Sequence, residues 1–416
     1  MELIHRRCAG MDISKKDAKV CVRIQGGTHR KTSSIVTTWG AMTSQILALR
    51  DHLVEQKVTV VVMESTSNYW RPFYYLLEQD FEVVLVNARD ARNVPGRKTD
   101  VSDAAWLADL GAHGLVRASF VPPPPIRELR DLTRARTHIT QERTREVQRV
   151  EKLLESACIK LSSVAADIMG VSGRLMLQAL IDQQGTADPA AIADLAKRRM
   201  RSKIPELTEA LTGHFTAHHA FMTRMFLDRI DAQSKDIAVL SERIETLMEP
   251  FLPVRDLLES IPGVNQIVAE IVIAETGGDM TQFPTPEQLA SWAGVSPGSH
   301  ESAGKVKSSK TRPGNRYLKG ALGIAALTAL RSTTHTYFAA KYRRLAPTRG
   351  PMKALVAVEH SMLTAAWHML QNGDYYRDLG ADYYTRREPT KAKARAIKQL
   401  EALGYQVTIE PQQQAS

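Results

Sequence analysis

Apolar positions change their spacing several times along this chain. Residues 7–13 (RCAGMDI), 18–24 (AKVCVRI) and 31–37 (KTSSIVT) have the composition and spacing of β-strands, the first two joined by a tight turn over SKKD. A helical stretch over 41–56 leads into KVTVVVMES (57–65), a continuous β-branched run expected of a strand buried on both faces. A helix around 69–79 follows, then a short strand, FEVVLV (81–86), and a helix starting in GRKTDVSDAAWLA (96–108). Three β elements followed by alternating helix and strand predict an α/β domain with a mixed sheet.

The proline run VPPPP at 121–125 ends that pattern, because consecutive prolines cannot continue a helix. From Ile126 the apolar residues Leu129, Leu132, Ile139, Val147, Val150, Leu153, Leu154 and Ala157 take helical spacing, with Arg and Glu on the other faces. The spacing fits a helical hairpin or coiled coil, with an irregularity around Arg136 to Arg143. Residues 166–222 read as helical without legible chemistry. A second amphipathic stretch near 223–249 is expected to pack back on the first, as an arm or oligomerisation element. After EPFLP a mostly helical region begins, with a Ser/Gly/Lys-rich loop at 296–314, a helix over 316–331 and further helices to about 371. The expected divisions are 1–121, 122–250, 251–385 and a basic, flexible tail over 386–416.

Composition narrows the partners. Among 416 residues, 43% are hydrophobic and 24% charged, as in a globular protein of two or three domains. Lys and Arg (55) exceed Asp and Glu (45), a formal charge of +10 that favours polyanionic partners. Cys8, Cys21 and Cys158 have no zinc-site or CxxC spacing, which suits reduced thiols. MELIHRRCAG lacks a signal-peptide core, and the apolar runs VTVVVM and ALGIAALTAL fall short of the roughly 20 residues a membrane span needs. A cytoplasmic, nucleoid-associated location without membrane contact is expected.

Four acids stand out. Asp12 lies at the end of the first strand and Glu64 at the end of the apolar one, where a carboxylate is costly unless neutralised. If the two strands are adjacent, their carboxylates emerge side by side. Asp100 and Asp103, three apart, fall on one face of a helix. Such a set repels itself unless cations lie between its members, and two Mg²⁺ ions engaged in phosphoryl transfer are the expected solution.

Two C-terminal stretches point to phosphate. SIPGVNQIVAEIVIAETG (260–277) has the form of a helix-hairpin-helix, whose turn at Gly263, Val264 and Asn265 is suited to a nucleic-acid backbone. In the loop SPGSHESAGKVKSSKTRPGNRYLK (296–319), Lys305, Lys307, Lys310, Arg312, Arg316 and Lys319 face a single acid, Glu301, and Asn315 is placed to cap the next helix. The loop's five serines include Ser299 and Ser302, and the spacing itself favours none of them.

Asp12, Glu64 and the KTDVSDA pair resemble the RuvC-type DEDD domain, an RNase H-like fold, of insertion-sequence transposases guided by a bridge RNA. LLESIPGVNQIVAEIVIAETG, LASWAGVSP and TRPGNRYLKGAL are similar to the C-terminal transposase domain of that group, which includes the pilin-gene invertases. The resemblance implies a Mg²⁺-dependent recombinase, with Mn²⁺ as a substitute ion, acting on double-stranded donor and target DNA. It further implies a structured bridge RNA that supplies sequence choice and a homo-oligomer of two to four chains. Asp12, Glu64, Asp100 and Asp103 take the metal roles. Ser302 takes that of the nucleophile, which forms a covalent phosphoserine; Ser299 is the second candidate. The family usually places Gly directly after its serine, whereas here Ala303 stands before Gly304.

Overall fold

The computed structural model describes residues 3–26, 31–87, 102–186, 188–298, 300–302, 304–331 and 335–409. The chain divides into two compact units, Met1–Val121 and Pro122–Ser416, at the proline run.

The first unit is built on a five-stranded mixed sheet of order β3-β2-β1-β4-β5. Its strands are β1 (Arg7–Ile13), β2 (Asp17–Ile24), β3 (Ser33–Gly40), β4 (Val60–Glu64) and β5 (Glu82–Val86). The strands β1, β2 and β3 form an antiparallel meander, whereas β4 runs parallel to both β1 and β5. The β3 strand ends at Gly40, three residues beyond the stretch expected from sequence, because β2 pairs with it as far as Asp17↔Gly40.

Strand alternation assigns side chains to two faces. Ala9, Met11, Ile13, Val61, Met63 and Leu85 pack under α1 (Thr43–Glu55) and α2 (Trp70–Leu77), which contribute Ile46, Leu49, Leu53, Phe73 and Leu77. Cys8, Val60, Val62 and Val86 face the other way, under Leu107 and Leu110 of α3 (Asp103–Ala112). Ten residues are too few for a stable isolated helix. Burying each of these leucines contributes roughly 1.5–3 kcal/mol, so the sheet holds α3 in place.

The second unit opens with α4 (Pro124–Ser156), whose first residue is a proline, tolerated where no intrahelical N–H bond is needed. The helix α7 (Ala217–Met248) packs alongside it, and Arg143 Nε donates to Ser234 Oγ at 2.7 Å. Between them in sequence, α5 (Val171–Asp182), α6 (Ile204–Ala210) and shorter helices enclose a core that includes Leu154, Leu177, Leu180, Leu207, Phe226 and Ile230. The C-terminal helices are α8 (Leu252–Glu259), α9 (Gln266–Thr276), α10 (Pro286–Ala293), α11 (Arg316–Arg331), α12 (Tyr337–Arg349), α13 (Pro351–Asn372) and α14 (Pro389–Ala402).

Three features add to the reading from sequence. The unit that begins at Pro122 runs on past residue 250, and within it α4 is bound to α9 through buried ion pairs. The Ser/Gly/Lys-rich loop contains a short antiparallel hairpin, β6 (His300–Ser302) and β7 (Lys305–Ser308). The tail after Arg386 carries a regular though exposed helix, α14, whereas residues 410–416 lie outside the described set. Among the described residues no helix is long and apolar enough to cross a membrane.

Candidate active site

Asp12 and Glu64 share one face of neighbouring parallel strands. The β1–β4 register reaches Met11↔Met63, so the next positions are Asp12 and Glu64, at the carboxyl ends of their strands. Both are even-numbered, like Cys8 and Gly10 of β1 and Val60 and Val62 of β4, and alternation puts them on the face that carries α3. Both are half-buried.

The direction of α3 follows from two glycines. A Cβ on Gly10 would lie 2.2 Å from Ala104 O and from Ala108 N, so helix and strand meet backbone to backbone there. A Cβ on Gly111 would meet Val62 Cγ2 at 2.5 Å and Cys8 Sγ at 2.7 Å. Passing from Cys8 to Gly10 along β1 therefore means passing backwards along α3. Its N-terminus, with Asp103, points to the Asp12 end of the sheet. Ser102 caps α3 by accepting from Ala105 N at 3.3 Å, and the helix dipole favours a carboxylate at position 103. Lys19 of β2 stands opposite Asp12 in register, and Arg23 of β2 binds Asp109 of α3 at 3.2 Å. Asp100 lies outside the described residues, and with it the pairing of Asp100 and Asp103. Among the described residues no three His, Cys, Asp or Glu side chains are close enough together to grip a metal ion. The donor set itself, carboxylate oxygen throughout, fits a hard divalent cation.

The thiols on this sheet are passive. Burial pushes Cys8 up to about 12, opposed by the Arg23 charge, and burial likewise raises Cys21.

The second unit presents the serine. Ser302 is exposed at the end of β6, opposite Lys305, and Gly304 at φ +73° supplies the left-handed turn residue between the strands. Lys305, Lys307, Lys310, Arg312 and Arg316 are all exposed. Ser299 lies outside the described residues. Two members of the expected phosphate set are engaged inside the fold. Lys319 Nζ donates to Gly294 O at 3.0 Å and Thr311 Oγ1 at 3.1 Å, tying the loop base to α10. Asn315 accepts from Tyr317 N and Leu318 N, capping α11, while its amide donates to Glu275 at 2.6 Å.

In the PGV turn, the Val264 N–H and the Asn265 side chain are used inside the fold. Gly263, at φ +89°, leaves no room for a side chain against Ala325 O at 2.2 Å of α11. Val264 N donates to Ile261 O, and Asn265 Oδ1 accepts from Val268 N to cap α9.

Sequence reasoning passed over the network that holds this unit together. Glu275 on α9 accepts a two-pronged bond from Arg134 (2.7 Å each), Arg130 lies 3.4 Å away, and Arg136 reaches Glu270 at 2.6 Å. The irregularity at Arg136 and the two acids in the otherwise apolar IVAEIVIAET were the available signals. Above the pair, Tyr317 is stacked by the Arg134 and Arg316 guanidinium groups at 4.6 and 4.8 Å and bonds His138 at 2.7 Å.

Comparison with known proteins agrees with both halves. Residues 9–159 match a family model of DEDD transposases of the IS110 type, and residues 255–343 match the transposase model of the IS116/IS110/IS902 family. The chain is 28% identical over 319 residues to the insertion element IS110 uncharacterized 43.6 kDa protein of Streptomyces coelicolor, covering 70% of this chain and 75% of that one. It is 25% identical over 394 residues to the insertion element IS900 uncharacterized 42 kDa protein of Mycobacterium paratuberculosis, covering 88% and 96% of the two chains. A putative transposase of Sinorhizobium fredii, y4pF/y4sB, is 30% identical over 124 residues, 29% of this chain and 32% of that one. Between them the two family models cover more than half of the sequence, in the order in which the α/β and helical units occur, and the chain belongs to the IS110/IS116/IS902 family of insertion-sequence transposases, enzymes that cut and rejoin DNA.

Proposed function

We propose that this transposase breaks DNA by attack of Ser302 on a phosphodiester, assisted by Mg²⁺ held by Asp12, Glu64, Asp100 and Asp103, with Mn²⁺ as a substitute ion. The observation that carries the reading is the placement of Asp12 and Glu64 at the carboxyl ends of adjacent parallel strands, on the face that α3 crosses with Asp103 leading. In open α/β sheets, ligands bind at that edge. A divalent ion there supplies Lewis-acid stabilisation of the charge that develops on the phosphodiester.

The rest of the work falls to the chain's own groups. Ser302 Oγ forms a bond to phosphorus as the bond from phosphorus to the deoxyribose oxygen breaks, and the hydroxyl proton ends on the departing oxygen. Lys305, opposite Ser302, holds negative charge on the phosphate. Rejoining reverses the step: a strand hydroxyl attacks the phosphoserine and Ser302 recovers its proton. We further propose that a bridge RNA chooses donor and target DNA by base pairing and that the working form is a homo-oligomer, up to a tetramer. Lys305, Lys307, Lys310, Arg312 and Arg316 then contact the nucleic-acid backbone. The long α4–α7 pair supplies an extended surface for assembly.

Trapping tests the chemistry. Incubation with Mg²⁺ and DNA should give a protein–DNA adduct stable to denaturation, absent in Ser302→Ala and in Asp103→Ala. An adduct that persists in Ser302→Ala moves the nucleophile to Ser299. Metal-dependent cleavage with no adduct in the wild type makes water the nucleophile, as in a junction-resolving nuclease. Sequencing the RNA that copurifies tests guidance: an RNA without segments complementary to the DNA substrates overturns it.

A further inference from the structure

A cleft of about 890 Å³ runs between the serine hairpin and the α12–α13 pair. Lys307, Lys310, Ser308 and Ser309 line one wall, and Lys341 of α12 and Lys353 of α13 line the other. Its floor is small and apolar, with Val295, Pro297, Val356 and Ala357, and no Asp or Glu lines it among the described residues. The lysines differ in how they are held. Lys353 is exposed, whereas Lys341 is half-buried, its ammonium bonded to Ser361 Oγ and 5.8 Å from the Tyr337 ring centre. Burial and the Lys341 charge, opposed by Glu287, hold His360 below the usual imidazole value, so the positive charge here at neutral pH comes from the lysines. The hairpin is anchored at its base, where Gly298 N donates to Lys310 O at 3.1 Å. Positive charge on both walls, serine hydroxyls on one of them and no Asp or Glu in the described lining form a backbone seat, able to hold phosphates without reading bases.

We infer that this cleft seats the phosphodiester backbone of the DNA that Ser302 attacks, with Lys341 and Lys353 as its new contacts. The inference rests on the reading of the hairpin as the DNA-cutting element. It adds a second wall, more than 30 residues further along the chain, to the lysines the sequence had marked.

The test measures binding of a fluorescein-labelled random-sequence DNA duplex to the full-length protein across a salt series. Each lost phosphate contact lowers the log–log salt slope by about 0.9, so Lys341→Gln/Lys353→Gln should lower it by about 1.8 and weaken binding on the order of tenfold to a hundredfold at low salt. Lys353→Gln alone, at an exposed position, should lower it by about 0.9 with an unchanged melting temperature, which guards against misfolding of the double variant. Lys197→Gln/Arg199→Gln removes the same charge from exposed positions between α5 and α6 and should leave the slope as in wild type. An unchanged slope in the cleft variants, or an equal loss in the Lys197/Arg199 control, overturns the inference. So does a loss seen only with an RNA duplex of the same sequence. Ser302→Ala should bind with the wild-type slope, so failure of the cleft and failure of the serine are read separately.

Discussion

Glu270 and Glu275 in the helical unit are 1% and 0% exposed and each is met by arginine, whereas Asp12, Glu64 and Asp103 stand half-buried where β1 and β4 end and α3 begins. The two groups of acids differ in how completely the fold covers them. A carboxylate sealed inside a protein needs its counter-charge from the same fold, and the guanidinium fork supplies it with fixed geometry. A carboxylate at a sheet edge keeps access to solvent and to whatever cation solvent brings. Complete burial goes with a structural role for the glutamates, and partial burial at an edge is what the proposed metal role of the other three requires.

The largest effect should come from Glu275→Ala. It strands the Arg134 fork, removes the carboxylate beside Arg130, which keeps its bonds to the Ala274 and Glu275 carbonyls, and deprives the Asn315 amide of its partner; loss of one member of a buried pair costs about 3–5 kcal/mol. The urea midpoint should fall accordingly, and a fall no larger than that of a surface substitution would erase the contrast between the two sets of acids. Next is Gly10→Ala, which forces α3 off β1. The cost should be about 1–3 kcal/mol, with loss of activity as Asp103 moves away from Asp12. Wild-type melting and activity in Gly10→Ala would contradict the backbone-to-backbone contact.

A third experiment concerns Glu359 of α13, a buried carboxyl whose Oε2 has no hydrogen-bond partner. Burial raises its pKa, with Lys319 opposing. The folded state therefore binds this proton more tightly than the unfolded one. The stabilising contribution is complete below the ordinary value of 4.5 and is lost as pH rises through the elevated one. Glu359→Gln should be more stable than wild type at pH 8, and the difference should close below pH 4.5; a pH-independent difference would refute the assignment. The smallest effect belongs to Ser302→Ala. At an exposed hairpin position it should change stability by less than about 0.5 kcal/mol while abolishing the adduct. A large loss of stability would make Ser302 a structural residue.

Much of the α/β unit was legible because its signals are local. The run VTVVVM announces a strand covered on both faces, and β4 is buried from Val60 to Met63. The prolines at 121–125 fall where the two units divide. The helical unit was less legible. Arg136 interrupts a helical seam in sequence, yet it is buried there because Glu270, 134 residues away, lies beside it. The hairpin β6–β7 escaped notice because serine and lysine have weak strand preference, and its pairing shows only once the loop folds back on itself.

The sequence alone determined the order of elements, the excess of positive charge and the family motifs, since period, charge and motif are all properties of neighbouring residues. Only the tertiary structure decided which carboxylates share a face and which lysines share a cleft. Strand register sets the first, through the pairing of β1 with β4 and the path of α3. Packing sets the second: Lys319 and Lys341 are chemically alike, yet one ties the loop base to α10 and the other lines an open groove.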